Sequence, residues 1–194
     1  MSTETAAEAA DEAPAKPPKP TFGAPTDAML ASDLGMDYMP LAELLMEGNF
    51  QDADQFTRDA LIKIAGAGAV DRNFVYWTDV KGIPVADLRS IERQWLAYSG
   101  GKFGYTVQKN VWKVQKGDFE GFCRKIGWST KDSDVERKLR WFGASEFTYD
   151  TSAPRGHLPL TSALRGTTLL KKLLDHPAWD LEDGDTEFDG KKKK

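Results

Sequence analysis

IPVADLRSIERQWLAYSGGKFGYTVQKNVW, residues 83–112, decides how this chain folds. Leu88, Ile91, Trp95 and Tyr98 recur at three- and four-residue steps, which puts them on one face of a helix. Pro84 suits the first turn of that helix, where its missing N–H costs nothing, and Gly100-Gly101 stop it. After the KFGY turn a second helix is expected, with Val107, Val111 and Val114 on one face and Lys109, Lys113 and Lys116 on the opposite one. Trp112 falls on neither stripe: at 100° per residue it projects about 120–140° from the valine direction.

The same period extends in both directions. Upstream, Leu41, Leu44 and Leu45 form a short apolar stripe after Pro40, closed by Gly48. A helix starting after Asn49 or Asp52 then carries Ala53, Phe56, Ala60 and Ile64 until Gly66-Ala67-Gly68 ends it. Residues 69–82 read as a long connection that holds Phe74, Tyr76 and Trp77 without a clear period. Downstream, Asp118 is placed to cap a helix carrying Phe119, Phe122 and Ile126, which stops at Gly127-Trp128. A polar loop is expected over 129–134, a short helix or turn over 135–142, and a last helix over 164–174 before His176-Pro177. No strict alternation survives long enough to argue for a sheet, so the expected class is all-α, a single compact helical domain.

The ends differ from the middle. Residues 1–20 carry four acids against two lysines, and residues 180–194 six against four, so the formal net charge of −4 sits in the tails. Both are too polar to offset their ordering entropy and are expected to be disordered. The division is a polar leader at 1–24, a core at 37–160, a helical extension at 161–179 and an acidic/lysine tail at 180–194. Residues 27–99 hold twelve acids and six bases, whereas 102–140 hold ten bases and five acids. A ligand with carboxylates would be drawn to the second half.

Several classes of function are excluded. One cysteine, Cys123, forms no internal disulfide, and with only His157 and His176 beside it no Cys/His zinc site can be assembled. No apolar run approaches the roughly 18 residues of a membrane-spanning helix, which leaves only peripheral contact open. The spacing offers no nucleophile elbow, and Asp52 and Asp54 at a helix start read as capping groups rather than an acid–base pair. SGGKFG at 99–104 follows a helix and lacks the Gly-Lys-Ser/Thr ending of a phosphate loop, so it reads as a helix stop and turn. The lysine stripe with Trp112 and Trp128 would suit a nucleic-acid strand, but the acidic pI of 5.3 argues against one. His157 in RGHLP reads as a hydrogen-bonded turn residue, with axial metal ligation as the alternative. Trp95 and Trp141 suit a core, while Trp77, Trp112 and Trp128 lie off the core stripes and suit either a core or a flat apolar ligand.

The segments DYMPLAELLMEGNFQDADQFTRDAL (37–61), IPVADLRSIERQWLAYSGGKFGYTVQKNVW (83–112), IGW (126–128) and APRGHLP (153–159) together resemble the Genomes Uncoupled 4 family, porphyrin-binding activators of magnesium chelatase in oxygenic phototrophs. The resemblance implies an all-helical fold shaped like a cupped hand, with protoporphyrin IX or magnesium protoporphyrin IX in its concave face and bilins as additional ligands. It further implies a non-catalytic, monomeric activator without a resident cofactor or metal. Its implied partner is the large porphyrin-binding subunit of magnesium chelatase, in chlorophyll biosynthesis, with a role in plastid-to-nucleus retrograde signalling. The implied location is the chloroplast stroma, with thylakoid contact left open. The polar leader and the extension after GHLP resemble a mature algal or plant member without its transit peptide. FGYTVQ stands where FGFSVQ is expected, which leaves the pocket apolar with one extra hydroxyl. Given the resemblance, the disc is placed against Phe103, Tyr105, Val107, Val111, Trp112 and Trp128, with its propionates near Arg155 or the local lysines and Trp77 as the other wall. The rival readings are a ligand-free interaction module acting through the lysine face, and an enzyme acting on the porphyrin.

Overall fold

A computed structural model describes residues 22–129, 147–160 and 167–180. Among these residues the regular elements are helices, without an extended strand, as the all-α expectation requires. The axis of the fold is the helix Val85–Tyr98, the fifth in chain order and hereafter α5. Its apolar face is buried as the spacing demands: Leu88, Ile91 and Trp95 have no exposed surface. Its polar side is buried as well, because Asp87, Ser90, Glu92 and Gln94 are all fully enclosed. A helix wrapped all round must satisfy each of those polar groups internally.

The N-terminal segment satisfies the first set. It contains α1 (Asp27–Leu30) and leads into α2 (Met39–Met46). Asp87 accepts from the Ser32 hydroxyl, from the Asp33 N–H at 3.0 Å and from the Tyr38 hydroxyl at 2.9 Å. Gln94 donates to the carbonyls of Met29 and Tyr38, at 2.7 and 3.2 Å, and the Ser90 hydroxyl donates to that of Ala31. α3 (Phe50–Ile64) is capped by the Asn49 side chain, which accepts from the Asp52 N–H. It meets α5 where the Trp95 indole N–H donates to Thr57 Oγ1 at 3.0 Å.

Glu92 satisfies a different element. Its carboxylate accepts from the backbone N–H of Tyr105 (2.6 Å) and Thr106 (2.9 Å) and from the Thr106 hydroxyl, so it caps the first turn of α6 (Tyr105–Val114). The unpaired N–H groups and the positive end of that helix are what make a buried carboxylate tolerable there. Gly104, at φ +140°, lets the two helices approach: a Cβ at this position would lie 2.7 Å from a Glu92 oxygen. α7 (Phe119–Ile126) begins at Asp118, whose side chain accepts from the Glu120 N–H, and ends at left-handed Gly127. α8 (Thr167–Leu174) buries Leu169, Leu170, Leu173 and Leu174 in the same core.

Two readings change. Gly66 starts a helix as well as ending one, because α4 (Ala67–Arg72) follows it, and a 3-10 turn occupies Val80–Gly82. The supposed connection is therefore structured, by elements too short to print a period in sequence. Its aromatics are organised by Arg72, whose guanidinium lies over the rings of Phe74 (5.6 Å) and Tyr76 (4.8 Å) and pairs with Asp79 at 2.6 Å. Val114, assigned to the apolar stripe of α6, is 74% exposed, since the helix ends there and nothing among the described residues covers it. The expected disorder before residue 22 and after residue 180, the helix at 135–142, and the start of the last helix at 164–166 lie outside the described residues, as does the 129–134 loop beyond Ser129.

Glu92→Ala strips two backbone donors and a hydroxyl of a buried acceptor. Urea unfolding followed by circular dichroism is expected to show a loss of about 2–4 kcal/mol, while Val114→Ser stays within about 0.5 kcal/mol of the parent.

Candidate functional site

A cleft of about 250 Å³ opens between two segments nearly a hundred residues apart in the chain. One wall is Trp77, Thr78, Val80 and Lys81, and the other is Lys172, Asp175, His176 and Pro177. Asp79 sets the first wall by accepting from the Tyr76 N–H at 2.7 Å while pairing with Arg72. Val80 anchors the turn in the core, which leaves Trp77 with 48% of its surface exposed at the cleft. On the second wall, His176 Nδ1 accepts from the Ala178 N–H at 3.1 Å. The same ring hydrogen-bonds the Ile83 backbone, and burial holds its pKa below the usual histidine value. His176 thus ties the end of α8 to the residue that follows the 3-10 turn. Arg89 of α5 fixes the segment beyond it, donating to the carbonyls of Ala178 (3.4 Å) and Asp180 (3.3 Å).

Of the residues assigned to the ligand in sequence, Trp77 alone is among those lining this cleft. Phe103 is fully buried, with its ring 5.6 Å from Phe50 and 6.4 Å from Trp95. Tyr105 is fully buried 5.1 Å from the Trp179 ring, and Val107 is buried on α6, near Gly156. Trp112 and Trp128 are brought together through Phe122, at 5.3 and 5.7 Å, with Trp112 half-buried and Trp128 only 4% exposed. The Trp128 indole N–H donates to the His157 carbonyl at 2.8 Å, a structural hydrogen bond. Val111 is half-buried and Arg155 is exposed. The stretch 103–128 reaches the segment that follows the second wall: Tyr105 packs on Trp179, and the Lys109 ammonium pairs with Asp180 at 3.2 Å.

Sequence reasoning did not single out Lys81, Lys172, Asp175 or the cleft role of His176. Charged residues next to a turn or at a helix end look like solvated positions, and only the packing of α8 against the 3-10 turn brings them together. His157 is a turn residue with both nitrogens in use: Nδ1 lies 2.6 Å from the Ile126 carbonyl, and Nε2 accepts from the Thr148 N–H. Gly127 makes room for that turn, since a Cβ there would lie 2.9 Å from Pro154. Asp54 is not a cap. It is fully buried, accepts from the Leu160 N–H at 2.6 Å, and faces Arg58 Nε at 3.3 Å in an ion pair without hydrogen-bond geometry. Burial pushes its carboxyl up to about 7, against the opposing effects of Arg58 and the Leu160 bond.

The site thus combines a half-exposed indole with a small cleft beside a helical hub. Residues 31–177 match the GUN4-like family. The chain belongs to that family. It is 42% identical to a Ycf53-like protein of Synechocystis sp. over 77% of this chain and 62% of that one. The Arabidopsis thaliana tetrapyrrole-binding protein, named as chloroplastic, is likewise 42% identical, over 74% of this chain and 56% of that one. The chain thus spans less than two-thirds of either relative's length. The structure of GUN4 from Chlamydomonas reinhardtii superimposes with a TM-score of 0.69 at 40% identity, covering 78% of this chain and 93% of that one.

The raised Asp54 pKa fixes the sign of a pH effect. The native state holds a proton on Asp54 between about pH 4 and pH 7 that the unfolded chain releases, so this contribution to stability is full below about pH 4 and lost as pH rises through 7. Asp54→Asn is expected to remove a decline on the order of a few kcal/mol across that window, measured by denaturant unfolding at several pH values. The buried Glu92, also raised by desolvation, leaves a residual slope of the same sign.

Proposed function

We propose that this protein binds tetrapyrroles, protoporphyrin IX and magnesium protoporphyrin IX among them, with the macrocycle laid against Trp77 in the cleft. The observation that carries this reading is a half-exposed indole on the wall of an open, mostly apolar cleft, in a chain of the GUN4-like family. The name of the Arabidopsis relative supports the ligand class. A porphyrin is larger than 250 Å³, so the cleft takes part of the disc and the remainder extends past its rim. Burying roughly 400 Å² of apolar ligand surface at about 25 cal/mol/Å² yields on the order of 10 kcal/mol gross, before immobilisation and desolvation costs. That apolar term drives binding without a covalent or metal bond. Phe103, Tyr105, Val107 and Trp128 serve as the packed support of the site, while Val111 and Trp112 offer a second, partly exposed apolar surface on α6. Bilins, which share the carboxylate-bearing tetrapyrrole chemistry, are further candidate ligands.

The protein acts, in this reading, as a non-catalytic activator of magnesium chelatase in the plastid, through the enzyme's large porphyrin-binding subunit, with retrograde signalling as a further role. The chloroplastic relative supports the location. Trp77→Ala is expected to weaken protoporphyrin IX binding at least tenfold, read from the Soret shift and from tryptophan quenching, with the far-UV circular dichroism unchanged. Trp112→Ala is expected to have a smaller effect. The reverse ranking would move the ligand onto α6, and no porphyrin response from the parent protein would favour a ligand-free module working through its exposed lysines.

A further inference from the structure

We infer that Lys81 and Lys172 clamp the ligand's carboxylates from opposite walls, so that the cleft selects tetrapyrroles carrying free carboxylate side chains. This rests on the tetrapyrrole reading above and assigns its anionic half to two particular residues. Lys81 lies in the 3-10 turn and Lys172 in the last turn of α8; both are exposed and both line the cleft. Among the described residues neither makes an ion pair within 4 Å, whereas Lys109 and Arg72 do. The two ammonium groups come from opposite walls of one cleft, so a carboxylate at its rim is approached from both sides.

The other titratable groups of the lining do not cancel them. Asp175 contributes one negative charge. His176 is held neutral by burial, with its Nδ1 accepting from a backbone N–H. The described lining is therefore net positive. A porphyrin with two propionates on one edge matches it: the indole of Trp77 takes the apolar face and the ammonium groups take the carboxylates as charge-assisted hydrogen bonds. The lysines' four-carbon stems let each ammonium reach a carboxylate at the rim without leaving water. Exposure limits the gain, so the pair acts mainly on which ligand is chosen.

The test compares protoporphyrin IX with its dimethyl ester, in the same detergent, on the parent protein, Lys81→Gln, Lys172→Gln and the double variant, all checked by circular dichroism. The parent is expected to bind the free acid about tenfold or more tighter than the ester. The double variant is expected to lose that preference by weakening acid binding alone, and added salt to weaken acid binding while sparing the ester. Equal parent affinities for acid and ester, or a preference that persists in the double variant, would overturn the clamp and leave the tetrapyrrole reading standing. Failure of the parent to bind either compound would remove both.

Discussion

The carboxylate of Glu92 is the constraint on which the site geometry depends. It sits with no exposed surface between α5 and α6, and its charge is borne by the two N–H groups of Tyr105 and Thr106 and by the Thr106 hydroxyl. Desolvation raises its pKa, and those three donors oppose the rise. The bond set is directional, so it fixes where α6 starts and at what angle it leaves the hub. From that start point Tyr105 reaches Trp179, and one turn later Lys109 reaches Asp180. The segment carrying Trp179 and Asp180 directly follows His176 and Pro177 in the cleft wall, so an interaction at Glu92 is felt there through two contacts.

Buried polar groups on α5 perform the same service elsewhere. Apolar surfaces such as Leu88, Ile91 and Trp95 pack against any complementary apolar surface, with little preference for which segment supplies it. Asp87 and Gln94 are more selective: misplacing the 29–38 segment would leave their buried atoms without partners, at about 1–3 kcal/mol for each lost group. Gln94 Oε1 already stands without a partner among the described residues, so that surface is imperfectly satisfied even in the native arrangement. Net stability gained from such networks is small, and their contribution here is to the choice of partner and register.

This explains what could be read from the sequence. The three- and four-residue spacing of Leu88, Ile91, Trp95 and Tyr98, the caps at Asn49 and Asp118, and the stop at Gly127 are local signals, and the helices they announce are present. Asp87, Ser90, Glu92 and Gln94 look like a solvated face, because a helical wheel records direction and not what arrives from elsewhere in the chain. Trp128 reads as suited either to a core or to a flat ligand for the same reason, and it is buried with its indole bonded to a backbone carbonyl. Trp77 was legible as an aromatic without a period, as residues of a short irregular element are. The opposite wall was not legible, since no local pattern relates Lys172 and His176 to residues 77–81.

The cleft is consequently built where the 3-10 turn meets the end of a helix, and both elements are anchored in the core of the hub. Its walls belong to short elements, a 3-10 turn and the end of an eight-residue helix, each held by side-chain bonds to single backbone groups: Asp79 to Tyr76, His176 to Ala178, Arg89 to Ala178. Those elements are anchored by buried apolar side chains as well, Val80 on one side and Leu173 and Leu174 on the other. The hub beneath them is pinned by buried charges that tolerate little movement. The shape of the cleft is therefore set by how the turn and the helix end are fixed to that hub, since its walls belong to the same elements that enter the core.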